Sequence, residues 1–144
     1  MRHILLLMAV LAPAGCYRSG RLVEFVVPKG HVGPVWILHE PDAPDLPVVD
    51  GRYQVRFPDG GVLRVRSMSP FDRFKVVSTR YDDGSPLPYL VSGMQVAPTT
   101  VGMWSGWSGQ AGPDRREYIV WPVGTEEQKR AFGEVADSAP PNGR

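Results

Sequence analysis

The sequence predicts an all-β domain: an antiparallel β-sandwich of about seven or eight short strands, with one short C-terminal helix. Three observations carry this. Sixteen glycines and fifteen prolines interrupt the 144 residues every few positions, which suits short strands and turns. Several segments alternate apolar and polar residues, the period of a half-buried strand. Helix-start chemistry is evident at one place, near the C-terminus.

The elements follow in order. Arg21–Val27 places Val23, Phe25 and Val27 on one face, although Leu22 and Val26 blur the alternation. Pro28–Gly33 is a turn, with Gly30 and Gly33 able to take positive φ at little cost. Pro34–Glu40 reads as a second strand carrying Trp36 and Leu38, and Pro41–Pro47 is a proline-rich loop. In Arg52–Arg66, Tyr53, Val55 and Phe57 alternate with Arg52, Gln54 and Arg56. Pro58-Asp59-Gly60-Gly61 then turns the chain, and Leu63 and Val65 alternate with Arg64 and Arg66. This is the pattern of a β-hairpin with one apolar face. Phe74–Tyr81 and Leu87–Val91 make a second pair around Asp82-Asp83-Gly84. A weak strand falls near Thr99–Trp104, and a late one at Glu117–Trp121. Thr125-Glu126-Glu127-Gln128 fits a capping box, so a helix of about two turns starts there. Its two early glutamates suit the helix dipole. Gly133 is expected to end it, with Ala131 and Phe132 as its apolar contacts.

The N-terminus carries an address. Met1–Cys16 reads MRHILLLMAVLAPAGC: a basic start, an apolar run, small residues, then the one cysteine of the chain. The run is too short to span a bilayer, which needs about 20 apolar residues, and matches an export signal. Pro13-Ala14-Gly15-Cys16 resembles the lipobox of bacterial lipoproteins, although Pro13 stands where leucine is usual. Ala12-Pro13-Ala14 also fits an ordinary signal-peptidase site, so cleavage after Gly15 or after Ala14 remains open. A lone cysteine cannot make an internal disulfide, which favours acylation of Cys16. The expected organisation is a signal over residues 1–15, an anchor and tether over 16–20, the sandwich over 21–133, and a disordered polar tail over 134–144. The expected location is extracytoplasmic, lipid-anchored to the cell membrane or an outer membrane; secretion as a soluble protein is the alternative.

Three stretches carry a family resemblance: VPKGHVGPVWI (Val27–Ile37), LPVVDGRYQVRFPDGGVLRV (Leu46–Val65) and YIVWPVGTEEQ (Tyr118–Gln128). Together they resemble a family of exported bacterial proteins catalogued as a domain of unknown function. Members share a P-x-G-x-x-G turn, a G-x-Y hairpin and a V-G-T-E-E element. The resemblance implies the fold and the compartment, and no activity.

Composition limits the chemistry. About 128 residues after Cys16 make one domain able to bury a core without disulfides. A net charge of +1 gives no reason to expect nucleic acid. His31 and His39 are far apart for a zinc pair, no second cysteine exists, and no cofactor motif is present. Gly106-Trp107-Ser108-Gly109-Gln110 lacks the last glycine of a nucleophile elbow and reads as a Gly/Ser turn. Asp82-Asp83-Gly84 and the pair Asp42 and Asp45 read as turn residues.

Two surface features could bind. The hairpin would direct Arg52, Arg56, Arg64 and Arg66 to one polar face, with Arg56 opposite Arg64. Such like-charge pairs need solvent, acidic neighbours or an anionic partner. Trp104 and Trp107 lie in a glycine-rich stretch; exposed, they would offer a platform for sugar rings. Buried, they would close one end of the sandwich. The leading reading is a non-catalytic, envelope-tethered lipoprotein module that binds or scaffolds outside the cytoplasm. Its expected partners are the membrane through Cys16 and an envelope protein, glycan or anionic polymer. A carbohydrate- or wall-binding module using Trp104 and Trp107 is the alternative, and a small hydrolase of unrecognised type the third.

Overall fold

The computed structural model describes residues 20–135. The signal segment, Cys16, most of the tether and the tail from residue 136 lie outside the described residues. In chain order the strands are β1 (Arg21–Val27), β2 (Gly33–His39), β3 (Val48–Val49), β4 (Arg52–Arg56), β5 (Val62–Val65), β6 (Phe74–Tyr81), β7 (Tyr89–Leu90), β8 (Gly102–Trp104), β9 (Trp107–Ala111) and β10 (Arg116–Gly124), followed by helix α1 (Glu126–Val135). The first sheet runs β3-β4-β1-β6. The second runs β5-β2-β10-β8-β7, with β9 also paired to β10. Among the described residues no helix is long and apolar enough to cross a membrane.

The fold is all-β, but its sheets are mixed rather than antiparallel. β1 pairs parallel with both β4 and β6, β2 with β5, and β7 with β8. The antiparallel contacts are those of β10 with β2, β8 and β9, and of β3 with β4. The expected hairpin over Arg52–Arg66 is not one. β4 pairs with β1, and the Phe57 N–H extends that ladder to the Val26 carbonyl at 2.9 Å. Gly61 N–H closes the turn onto the Pro58 carbonyl at 2.8 Å. The chain then crosses to the second sheet, where β5 lies beside β2. Alternation had fixed which face of each strand is apolar. It does not choose the neighbouring strand, because both pairings bury the same face.

The other expected pair is half realised. Arg80 and Pro86 form an antiparallel bridge around the Asp82–Gly84 turn, and Leu87 N–H reaches the Thr79 carbonyl. β7 then leaves for the second sheet. Trp107–Ala111 is strand β9, not a Gly/Ser turn; it forms a hairpin with β10. Gly106 lies just before it, where an added Cβ would overlap the Val120 carbonyl and come within 2.8 Å of the Trp121 ring. The close approach of this corner to β10 requires glycine.

The core lies between the sheets. β1 supplies Val23, Phe25 and Val27, β2 Val35 and Ile37, and β4 Val55. Trp121 of β10 is the centre of the aromatic packing, with Phe25 at 4.8 Å and Phe71 and Phe74 near 6 Å between ring centroids. Each such ring removes on the order of 150–250 Å² from water, so this cluster dominates the burial.

Helix α1 starts as its sequence dictates. Gln128 N–H donates to the Thr125 hydroxyl at 3.3 Å, and Thr125 N–H donates to the Gln128 side-chain oxygen at 2.8 Å. Gly133 does not end it; the helix continues to Val135. Gly133 keeps φ outside the left-handed region and meets no neighbour. A mid-helix glycine costs only about 1 kcal/mol, less than tertiary packing supplies. Of its expected contacts, Phe132 is half-buried and Ala131 is exposed. The helix packs on β10 and β2 of the second sheet.

Candidate functional site

The outward faces of the two sheets differ. Helix α1 packs against the second sheet, where Trp36 and Trp104 are buried at 5% and 1% exposure. The outward face of the first sheet has no such layer among the described residues, and it is basic.

Strand alternation builds that face. With Val23, Phe25 and Val27 turned to the core, Leu22, Glu24 and Val26 of β1 face outward. On β4 the outward residues are Arg52, Gln54 and Arg56; on β6 they include Lys75, Ser78 and Arg80. The parallel registers align them in rows. Val26 lies between Arg56 and Arg80, and Glu24 between Gln54 and Ser78. Leu22 is beside Lys75, and Arg52 precedes the Val23–Tyr53 pair. Val26 is fully buried although it points outward. Its two arginine neighbours can cover it with their aliphatic stems while the guanidinium groups stay wet. This is why alternation in β1 was blurred.

Glu24 anchors the middle row. It accepts from Arg80 Nε at 3.1 Å, Ser78 Oγ at 3.2 Å and Gln54 Nε2 at 3.4 Å. Burial alone would raise its pKa. The hydrogen bonds from Arg80, Gln54 and Ser78, with the Arg80 charge, outweigh that and hold the carboxyl below its usual range.

The remaining cations of this sheet lack such partners. Arg21, Arg52, Arg56, Arg73 and Lys75 are exposed, and none forms a salt bridge with another described residue. Elsewhere, Lys29 pairs with Asp83, Arg66 with Asp45, Arg116 with Glu40 and Arg130 with Glu126. Arg115 and Lys129 also lack a salt bridge but hydrogen-bond to Gln110 and Ser92. The described cations with neither kind of partner therefore gather on and beside the first sheet.

Of the four arginines singled out in the sequence, Arg52 and Arg56 share this face. Arg64 and Arg66 do not: the crossover puts β5 in the second sheet, and Arg66 folds onto the Ala43 carbonyl and Asp45. Arg56 and Arg64 are thus on different sheets, and the like-charge conflict expected between them is absent. Lys75 and Arg80 join instead, with Arg21 and Arg73 at the edge where β1 and β6 begin. No local signal marked them, because their grouping depends on the parallel pairing of β6 with β1.

The tryptophan platform is not presented. Trp104 is buried, its indole N–H donating to the Gly124 carbonyl at 3.0 Å, with Lys129 Nζ 4.5 Å from its ring centroid. Trp107 is half-buried within β9. His31, in the Pro28–Gly33 turn, packs against Gly61, and its Nε2 is buried without a hydrogen-bond partner among the described residues. An added Cβ at Gly61 would lie 2.8 Å from His31 Cε1, and φ there is +71°. The two glycine turns of the sequence therefore meet through this contact.

Two open hollows flank the β9–β10 hairpin. One, of about 450 Å³, is lined by His39, Gln110, Asp114, Arg116 and Glu117, without a hydroxyl or thiol. Asp114 and Glu40 are drawn to Arg116, at 3.8 and 2.9 Å. The other, of about 320 Å³, contains Ser108 and Asp72 but no histidine. Ser108 and His39 thus line different hollows, and a nucleophile–base pair needs contact. No group of three or more His, Cys, Asp or Glu side chains among the described residues is arranged to hold a metal.

No family model matches the chain, so the resemblance read from its glycine turns stands without one. No curated protein matches it either. Among solved structures, a chain described as a "Putative Lipoprotein from Bacillus anthracis" is similar at 14% identity and a TM-score of 0.47, over 85% of this chain and 82% of that one.

Proposed function

We propose that this chain is a lipid-anchored, extracytoplasmic and non-catalytic module that presents the basic face of its first sheet to an anionic surface. The concentration of salt-bridge-free cations on that face, Arg52, Arg56 and Lys75 with Arg21 and Arg73 at its edge, is the observation that supports the reading. Isolated surface ion pairs contribute little to stability, so cations left without them cost the fold little. They remain free to meet phosphate or carboxylate groups, which guanidinium binds by paired hydrogen bonds. Export rests on Met1–Cys16 and anchoring on Cys16. Several acyl chains hold a protein stably at a bilayer where one does not.

The test is mass spectrometry of the mature N-terminus with fractionation of a Cys16→Ser variant. Acylated Cys16 in the native protein, and release of the variant into the soluble fraction, are expected. An unmodified start at Gly15 removes the anchor.

A further inference from the structure

The three parallel strands β4, β1 and β6 all begin at the same end of the first sheet. The chain enters the domain there, at Arg21. Across this end the outward row reads Val49, Arg52, Leu22 and Lys75, one residue from each strand of the sheet. Val49 and Leu22 are exposed at 47% and 37%. Arg21 and Arg73 adjoin the row, since Arg21 pairs with Phe74. Asp50 and Asp72 stand in the neighbouring turns, leaving four cations against two carboxylates. Exposed aliphatic groups between cations are the composition of a surface that lies at a lipid–water interface.

Cys16 precedes Arg21 by five residues, at most about 18 Å of extended chain. This end is therefore held close to the acyl chains, while the turns after β1, β4 and β6 point away. We propose that the row seats on the anionic phospholipid headgroups of the membrane in which Cys16 is anchored. Arg21, Arg52, Arg73 and Lys75 meet lipid phosphates, and Leu22 and Val49 rest at the interface. The inference deepens the function proposed above and rests on its anchoring reading. The short tether favours lipid over wall polymer, because it brings this end to the bilayer before any other surface.

The test uses the acylated mature protein in vesicles. Acylation consumes Cys16, so an introduced cysteine is the unique thiol. Val49→Cys reports the proposed contact; Val32→Cys, in the turn after β1, reports the far end, roughly 20 Å away along the strand. Both are labelled with an environment-sensitive dye and read with a headgroup-located quencher. In phosphatidylcholine vesicles containing about 30% phosphatidylglycerol, the Val49 label should be quenched and the Val32 label should not. Replacing Arg21, Arg52, Arg73 and Lys75 by glutamine should abolish the difference, as should high salt, which screens exposed charge. For soluble Cys16→Ser protein, vesicle partition should fall about five-fold for each cation removed. Equal, weak quenching of both labels on acylated protein would overturn the seating and leave the anchor intact. An unmodified N-terminus would overturn both. Retention of the four-cation face by a phosphodiester wall polymer, with no vesicle binding, would overturn lipid as the occupant.

Discussion

Glu24 ties the stability of the first sheet to its charge, and Glu24→Gln should move the two in opposite directions. Its carboxylate is 3.1 Å from Arg80 Nε, with side-chain exposures of 19% and 30%. At a charge separation near 4 Å and an effective dielectric of about 20, the attraction is about 4 kcal/mol before desolvation. Exposed pairs retain about 0–1 kcal/mol, whereas removing one partner of a buried pair costs about 3–5 kcal/mol. This pair lies between those limits, and glutamine keeps one acceptor oxygen, so the expected loss is about 1–2 kcal/mol. The folded-state pKa of Glu24 is depressed. Its contribution is therefore complete above the unfolded value, near 4.5, and is lost as pH falls through the lowered folded value. Urea unfolding followed by tryptophan fluorescence, in steps from about pH 7 to about pH 2, should show the native–variant gap closing in acid. Removing a negative charge from the face should meanwhile raise vesicle partition about five-fold. A gap that is absent at neutral pH, or that persists unchanged in acid, would refute the role assigned to the Glu24 network.

Other substitutions probe the frame around the site. Trp104→Phe removes the donor to the buried Gly124 carbonyl, and should cost about 1–3 kcal/mol in urea unfolding, with a further cost for the lost volume. Thr125→Ala breaks the capping box and should cost about 1 kcal/mol, with faster amide exchange in the first turn of α1. Gly106→Ala drives a methyl into β10 and should destabilise by about 1–3 kcal/mol, with an altered near-ultraviolet signal from Trp121. Gly60→Ala is its control. Nothing lies within 4 Å of the added carbon and φ is ordinary, so stability should hold or rise by up to about 1 kcal/mol.

Legibility in the sequence followed the range of the interactions involved. The capping box at Thr125 needs four consecutive residues, and it formed where the spacing placed it. The turns at Pro28–Gly33 and Pro58–Gly61 are also local, and Gly30, Gly33 and Gly61 take the positive φ that glycine permits. Alternation in Arg52–Arg56 put Tyr53 and Val55 inward and Arg52 and Arg56 outward. Strand β9 escaped because Gly106, Ser108 and Gly109 read locally as turn residues; it exists through its pairing with β10. The grouping of Arg52 with Lys75 and Arg80 depends on β1 lying between β4 and β6, a contact between segments more than twenty residues apart.

The amino-acid order by itself determined local character: most of the strands and turns, the inward side of β4 and the first turn of the helix. Those properties rest on backbone preferences and side-chain period, which act over a few residues. The tertiary structure alone decided which strands became neighbours, that β5 crossed to the second sheet, and which cations ended on one surface. A strand edge offers the same N–H and C=O groups to every candidate partner, so its neighbour is chosen by the packing of the whole core around Trp121.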